Sequence, residues 1–169
     1  MKEAPQQYTK RILGYVDGKD PLRIQKNTAK SLQKLIKPLS NKQMKRRPAP
    51  DRWSIAEILA HLVDAEVVGS WRMRLIMGSD GVPITAYDQD VWATTFDYGN
   101  TDPTDSLRVF RTLRENNLAL LKSVPKKLWE NHGLHSERGK ETIAHMVRMF
   151  AGHDLNHLEQ VERLAKNRK

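Results

Sequence analysis

The sequence contains no cysteine, and this absence excludes several kinds of chemistry. Disulfide bonds, thiolate metal ligands and cysteine nucleophiles are all impossible, so nothing in the chain requires an oxidising compartment. Long apolar runs are also missing, because the most apolar long segment, IAEILAHLVDAEVVGSW, is interrupted by acidic residues and a histidine. The N-terminal MKEAPQQYTKR lacks the apolar stretch of a signal peptide. We therefore expect a cytoplasmic protein without a membrane segment.

Acidic residues are scarce in the first part of the chain. Residues 1–50 hold 13 Lys or Arg against three Asp or Glu, whereas the rest of the chain is nearly neutral. One interpretation is a footprint for nucleic acid or another polyanion, centred on the basic residues 45–47. The alternative is a solvated helix face, because lysines recur every three or four positions between residues 26 and 37. Since no aromatic or glycine-rich nucleic-acid motif accompanies the charge, we favour the solvated face.

Four long stretches with a helical hydrophobic period predict four main helices. They run from about Arg23 to Pro38, from the Ser54 cap to Gly78, from the Asp102 cap to about Ser123, and from near Glu141 almost to Lys169. The second is the clearest, because Ser54 and Glu57 form an S-x-x-E capping box. A shorter piece, YTKRILGYV, predicts a two-turn helix before them.

No segment of useful length has the two-residue period of a strand. The expected fold is therefore all-α, a four-helix bundle with an extra short N-terminal helix. We assign residues 1–22 to an N-terminal extension and residues 23–169 to the bundle domain.

The connection between the second and third helices, GSDGVPITAYDQDVWATTFDYGNTDPT, is long for a compact domain. Loops of this length are usually functional or disordered, and its four aromatic residues argue against disorder. We expect this segment to fold over one end of the bundle as a lid. Its residues Tyr87, Asp88, Asp90 and Trp92 are expected to line the substrate side of a site.

Two histidines lie on the apolar stripe of the fourth helix. His153 and His157 are four residues apart, so both imidazoles point to the same, inward side. A buried neutral imidazole donates from one nitrogen and accepts at the other, and an unsatisfied buried polar group costs about 1–3 kcal/mol. H-x-x-x-H alone fits a metal-binding pair and, equally, two hydrogen-bonded side chains. The remaining histidines of the C-terminal third are interpreted as loop or surface residues: His132, His135 and His145.

A third metal ligand would have to come from another helix, and His61 is the candidate. It lies two turns into the second helix near the border of the apolar stripe; taken alone, it is also explained as a half-buried, hydrogen-bonded residue. Three neutral imidazoles with open positions form a Lewis-acid site suited to Zn²⁺, Ni²⁺, Co²⁺ or Fe²⁺. Asp64 and Asp154 are the candidates to orient a ligand histidine or a bound water.

Two motifs, taken together, resemble the DinB-like superfamily, also called the YfiT-like metalloenzymes. They are W-S-x-x-E-x-x-x-H-L-x-D-x-E from Trp53 to Glu66 and H-D-x-x-H-L-x-Q from His153 to Gln160. The resemblance extends from about Thr28 to the C-terminus. It implies a four-helix bundle with non-standard connectivity, a homodimer, and a divalent metal ion. Zn²⁺ and Ni²⁺ are the foremost candidates for this ion, with His61, His153 and His157 as its ligands.

The resemblance leaves the reaction open. Characterised members of the superfamily include thiol S-transferases that use bacillithiol-type cofactors and a mycothiol-dependent isomerase. The expected function is therefore a divalent-metal-dependent enzyme of the S-transferase or hydrolase type. It would act on a small-molecule substrate, with a low-molecular-weight thiol as a further candidate cofactor. A metal-binding bundle without catalysis is the second hypothesis, and a nucleic-acid binder that uses the basic N-terminal segment is the third.

Overall fold

Four long helices form a bundle in the computed structural model, which describes residues 3–167. These helices are α2 (Pro21–Ile36), α4 (Ile55–Gly78), α6 (Pro103–Ser123) and α7 (Ile143–Lys166). Shorter helices are α1 (Pro5–Gly14), α3 (Asn41–Lys45) and α5 (Gln89–Thr95), with 3₁₀ turns at Tyr98–Asn100 and Lys126–Glu130. The strands are β1 (Val82–Ile84), β2 (His132–His135) and β3 (Gly139–Thr142). The predicted four-helix bundle and the extra N-terminal helix are confirmed.

The order of the helices around the bundle differs from their order in the chain. Helix α2 packs extensively against α6 and α7, and α4 also packs against α6 and α7. The two consecutive long helices α2 and α4 therefore lie diagonally across the bundle. In a simple up-and-down bundle consecutive helices are neighbours, so this connectivity is non-standard, as the resemblance implied.

Each long helix begins at a side-chain cap that the local sequence provides. The caps are Asp20, Ser54, Asp102 and Thr142, whose side chains accept hydrogen bonds from backbone N–H groups of the first turn. These bonds satisfy donors that a helix start otherwise leaves without partners. At α4 the predicted capping box is present, since Glu57 also accepts a 2.8 Å hydrogen bond from the backbone N–H of Ser54.

The carboxylate of Glu57 has a second partner, the guanidinium of Arg47. Burial opposes ionisation of Glu57, but the hydrogen bonds from Arg47 and Ser54 outweigh it and hold the pKa of this carboxyl below its ordinary value. The other two basic residues of the predicted polyanion footprint also donate within the chain, Lys45 to the carbonyl of Asn100 and Arg46 to that of Asn167. These contacts give residues 45–47 an intramolecular role.

The four lysines between residues 26 and 37 are all exposed on α2, which fits the solvated face favoured above. Within residues 3–167, none of the helices combines the length and hydrophobicity needed to cross a bilayer.

A small sheet joins the two long connections of the chain. Strand β1 pairs in parallel with β2, and β2 pairs antiparallel with β3, with Ile84 opposite His135 in the β1–β2 register. The structure adds these three short strands to the predicted all-α bundle, although no strand-period segment of useful length is present in the sequence. Each strand has only three or four residues, and Pro83 lies within β1, so no two-residue period could develop.

The sheet also changes the interpretation of two histidines. His135 was expected in a loop or at the surface, yet it is a strand residue with only 3 % of its surface exposed. His132 is partly exposed at the start of the same strand, with its Nδ1 2.8 Å from a carboxylate oxygen of Asp80. His145 is partly exposed on α7, close to the expectation.

Helix α1 lies against α7 through a contact that requires glycine. A Cβ atom built on Gly152 would lie 2.1 Å from the carbonyl oxygen of Ile12, far inside van der Waals contact. The backbone of α1 therefore approaches α7 directly beside His153. The predicted domain boundary at residue 22 stays a prediction.

We expect Gly152→Val to lower the free energy of unfolding by about 2–3 kcal/mol, because the new side chain must push the backbone of α1 away from α7. The matched control is Gly14→Val, since nothing lies within 4 Å of a Cβ built on Gly14. Urea denaturation monitored by circular dichroism would measure both. Equal midpoints for the two variants would contradict the close approach of α1 to α7.

Candidate metal centre

Three histidines from two helices bring their Nε2 atoms together. His61 lies on α4, and His153 and His157 lie one turn apart on α7, which packs beside α4. The Nε2 atom of His153 is 3.0 Å from that of His61 and 3.0 Å from that of His157. The structure thus places the three predicted ligands in one cluster, with one ligand atom from each residue within 4.8 Å of the others.

Burial keeps all three imidazoles neutral. His61 and His157 are almost fully buried, whereas His153 is partly exposed. Loss of hydration lowers the pKa of His61 and of His153 well below the ordinary value, and the neighbouring imidazoles lower both further. Burial also lowers the pKa of His157, to about 4. Neutral imidazole is the form that offers a lone pair to a metal ion.

The geometry of the cluster fits a cation better than a set of hydrogen bonds. The Nε2 atom of His153 carries at most one proton, and this proton can be well aligned with only one of the two neighbouring Nε2 atoms. A divalent ion at the centre would satisfy all three lone pairs at once. Metal–nitrogen bonds of about 2.0–2.1 Å correspond to nitrogen separations of about 3.0–3.4 Å between ligands, close to those observed.

One histidine of the cluster is oriented by Gln160, the last residue of the H-D-x-x-H-L-x-Q motif, to which the sequence analysis gave no role. The Nδ1 of His157 lies 3.1 Å from Oε1 of Gln160 and donates its proton there, which leaves the Nε2 lone pair free to face the cluster. The signals for this contact were the motif itself and the spacing, because Gln160 lies one turn after His157 on α7. His61 differs, since its buried Nδ1 has no hydrogen-bond partner among the described protein atoms.

Aromatic residues and one carboxylate complete the surroundings of His61. The ring of Trp53 lies 5.0 Å from that of His61, and Tyr98 contacts Trp53 with centroids 6.3 Å apart. The hydroxyl of buried Tyr98 donates a hydrogen bond to Asp64, one turn after His61 on α4. Burial and this hydrogen bond raise the pKa of Tyr98, so the phenol keeps its proton and remains a donor. The sequence predicted a role for Asp64 beside the histidines but did not indicate that Tyr98 is its hydrogen-bond partner.

The second predicted carboxylate, Asp154, belongs to a buried ionic network. Its two oxygens accept hydrogen bonds from Arg114 of α6, and Thr28 of α2 donates to one of them. Arg114 also donates to Glu66 of α4 at 2.9 Å, and all three charged side chains are almost completely buried. Among the described residues, Asp154 forms no hydrogen bond to a histidine. Its contacts fix α7 against α6 and α2 next to His153.

The predicted lid residues lie beside α4. Tyr87 stacks on Trp92 with centroids 4.4 Å apart, and the guanidinium of Arg72 lies over the Tyr87 ring at 5.8 Å. Asp88 caps α5 by accepting hydrogen bonds from the backbone N–H groups of Asp90 and Val91. Asp90 itself is exposed in the first turn of α5. Their role toward a substrate stays a prediction.

The fold and the cluster together define a class: a four-helix bundle that carries three convergent histidines between two of its helices. The chain belongs to the DinB superfamily, whose sequence profile matches residues 26–161.

Several relatives carry names that refer to a metal. A protein of Oceanobacillus iheyensis, named as a candidate metal-dependent hydrolase, is 25 % identical over 146 residues, which cover 84 % of each chain. A Bacillus cereus protein with the same description is 26 % identical over 136 residues, covering 80 % of this chain and 78 % of the relative.

The solved structure of YfiT from Bacillus subtilis shares the fold. It superposes with a TM-score of 0.80 and 17 % sequence identity, covering 98 % of this chain and 89 % of YfiT. YfiT is described as a candidate metal-dependent hydrolase with an unusual four-helix bundle topology.

We expect Arg114→Met to destabilise the protein by about 3–5 kcal/mol, because it leaves Glu66 and Asp154 buried without their cationic partner. Arg108→Met on the same helix is the matched control, since that side chain is 70 % exposed and should change stability by less than about 0.5 kcal/mol. Chemical denaturation of both variants at neutral pH measures the difference. A loss no larger than that of the control would show that the network contributes nothing to stability.

Proposed function

We propose that this protein is a metal-dependent hydrolase that acts on a small-molecule substrate, with His61, His153 and His157 as the ligands of a divalent cation. The observation that carries the proposal is the convergence of three neutral imidazoles, with the Nε2 atom of His153 3.0 Å from each of the other two Nε2 atoms. The names of the relatives from Oceanobacillus and Bacillus support the same reaction class. Zn²⁺ and Ni²⁺ are the proposed ions, because both accept imidazole ligands.

The three proposed ligands come from two helices of the bundle. His61 comes from α4 and the other two from α7, so the cation would bridge the two helices. Gln160 holds His157 in the tautomer that presents Nε2. His153 is partly exposed, which gives the cluster an opening to solvent and substrate. A divalent ion with three neutral ligands keeps its full positive charge and lowers the pKa of a bound water, to about 7 in the case of zinc.

Asp64 is the carboxylate that we propose to accept a proton during hydrolysis. It lies one turn after His61 on α4, is partly exposed, and is held by the Tyr98 hydroxyl at Oδ2. Its other oxygen accepts no hydrogen bond among the described residues, so a water proton could be taken there. Trp53 and buried Tyr98 restrict the access of bulk water on this side of His61.

Three further expectations keep their status as predictions. Thiol S-transfer remains the alternative reaction, and the same preparations should be assayed with a low-molecular-weight thiol and an electrophile such as 1-chloro-2,4-dinitrobenzene. The homodimer and the cytoplasmic location also stay predictions.

We expect purified protein without an affinity tag to hold about one equivalent of divalent metal, and His153→Ala to hold almost none. Elemental analysis after incubation with Zn²⁺ or Ni²⁺ and desalting measures both. His145→Ala is the matched control, because His145 lies on the same helix and outside the cluster. If the parent binds no metal, or if His153→Ala binds as much as the parent, the three-histidine centre is wrong.

We expect Asp64→Asn to reduce hydrolysis of an activated ester such as 4-nitrophenyl acetate by about 10²–10⁴-fold while the bound metal stays at parental level. The amide keeps the shape of the side chain and removes the proton acceptor. Steady-state rates and metal content are measured on the same sample, with Asp105→Asn, an exposed position in the first turn of α6, as the control. A parental rate in Asp64→Asn would remove this residue from the mechanism, and a parental rate in metal-free protein would contradict metal-dependent hydrolysis.

A further inference from the structure

A group of hydrogen-bond donors lies between α4 and the small sheet, beyond the three histidines. Arg72 is half-buried on α4, and its Nη2 donates a 2.6 Å hydrogen bond to the carbonyl oxygen of Thr85. This is the single protein acceptor that the guanidinium has among the described residues. No carboxylate within residues 3–167 forms an ion pair with Arg72; Glu141 and Glu137 act on its charge without direct contact and offset it only in part.

A second guanidinium lies nearby on the turn between β2 and β3. Arg138 makes a bidentate contact with the buried carboxylate of Glu141, at 2.6 and 3.0 Å. Glu141 is therefore occupied by Arg138. Burial lowers the pKa of Arg72, and the charge of Arg138 lowers it further, which shows that the two cations lie within electrostatic range. The repulsion between two positive charges at this range is reduced when an anion lies between them.

The third donor is a buried imidazole. His135 is 97 % buried, because its exposed fraction is 3 %. Its Nδ1 accepts a hydrogen bond from the backbone N–H of Glu137, so the proton is on Nε2, and this buried Nε2 has no partner among the described residues. Burial lowers the pKa of His135 to about 4, which keeps the ring neutral. A buried N–H group without an acceptor costs free energy that a ligand oxygen would recover.

The sheet register brings this imidazole toward Arg72. His135 pairs with Ile84, and the next residue of the chain, Thr85, is the one that holds Arg72. His135 and Gly133 share one face of β2, and a Cβ built on Gly133 would touch the side chain of Ile76 on α4. That face of the strand is therefore turned toward α4, the helix that carries Arg72.

The donors are connected to the proposed metal centre along α4. Arg72 follows His61 by eleven residues, which is close to three full turns and places both on the same side of the helix. Long side chains of a helix lean toward its N-terminus, which here means toward His61. The Tyr87 ring lies against Arg72, and its pKa, which burial raises to about 12, also responds to the charge of Asp64 beside His61. Tyr87 thus contacts Arg72 and is within electrostatic range of Asp64.

We infer that Arg72, Arg138 and His135 form a subsite for a carboxylate of the substrate. The inference deepens the proposed function, on which it rests, because it assigns a substrate class to the same centre: small molecules with a carboxylate several ångströms from the bond that is hydrolysed. Two features favour a singly charged carboxylate over phosphate. Glu141 already forms a bidentate ion pair with one of the two guanidinium groups, and the charges of Glu141 and Glu137 partly offset that of Arg72, so the group offers less positive charge than a phosphate dianion needs.

The test uses benzoate as the probe, with benzamide as its neutral isostere, on metal-free full-length protein. The Nε–Hε resonance of Arg72 in ¹H–¹⁵N spectra, assigned by its loss in Arg72→Gln, reports binding directly. We expect a saturable shift with benzoate and none with benzamide. Arg72→Gln should weaken benzoate binding by about tenfold or more, followed on the other shifted resonances, and Arg72→Lys should weaken it less.

The matched control is Arg108→Gln, which removes the same charge from an exposed position of α6 and should leave benzoate binding unchanged. Equal binding of benzoate and benzamide, parental affinity in Arg72→Gln, or no saturable shift up to about 50 mM benzoate would overturn the subsite. Tighter binding of phenyl phosphate than of benzoate would overturn the carboxylate assignment in favour of phosphate. The titration is done without metal, so a negative result counts against the carboxylate subsite alone. The metal centre is tested independently by elemental analysis.

Discussion

One guanidinium group joins all four helices of the bundle. Arg114 of α6 donates to Glu66 of α4, to Asp154 of α7 and to the carbonyl oxygen of Gln25 on α2. Taking these charges out of water is costly, and the cost is offset only when every partner is correctly placed. The network therefore tolerates few relative positions of the helices. Asp154 directly follows His153, and Glu66 lies on the same helix as His61, so the network that sets the bundle also sets the distance between the histidines.

Two kinds of polar group lie side by side in the interior near the histidines. The charged network is held together by hydrogen bonds and closed to solvent, whereas the imidazoles are neutral and retain unused lone pairs. In a medium of low polarity, uncompensated lone pairs attract a cation strongly. The hydrogen-bonded ions provide a rigid support for the three histidines. This division explains how a bundle with many buried polar residues can place three nitrogens within bonding distance of one ion.

The features that depend on nearby residues could be predicted from the sequence. Helix caps and hydrophobic period act within a few residues, so the bundle and its capping box at Ser54 followed directly. The histidine cluster was predictable because two of its members are one turn apart. The partners Tyr98 and Arg114 were not, because a polar residue on a helix acquires its role only from contacts dozens of positions away. The strands were too short to show a period, and so the burial of His135 was also missed.

The three histidines lie far apart in the sequence, and this bears on when the proposed metal centre can form during translation. His61 and His153 are 92 positions apart, and the second half of the cluster resides on α7, the last helix of the described chain. A nascent polypeptide that has emerged only as far as α6 exposes one imidazole of the three and binds a divalent ion weakly at best. If the three histidines hold the ion as proposed, loading with the cation follows the emergence of α7 from the ribosome. Metal supply would then act after α7 has been made and would not direct the early stages of folding.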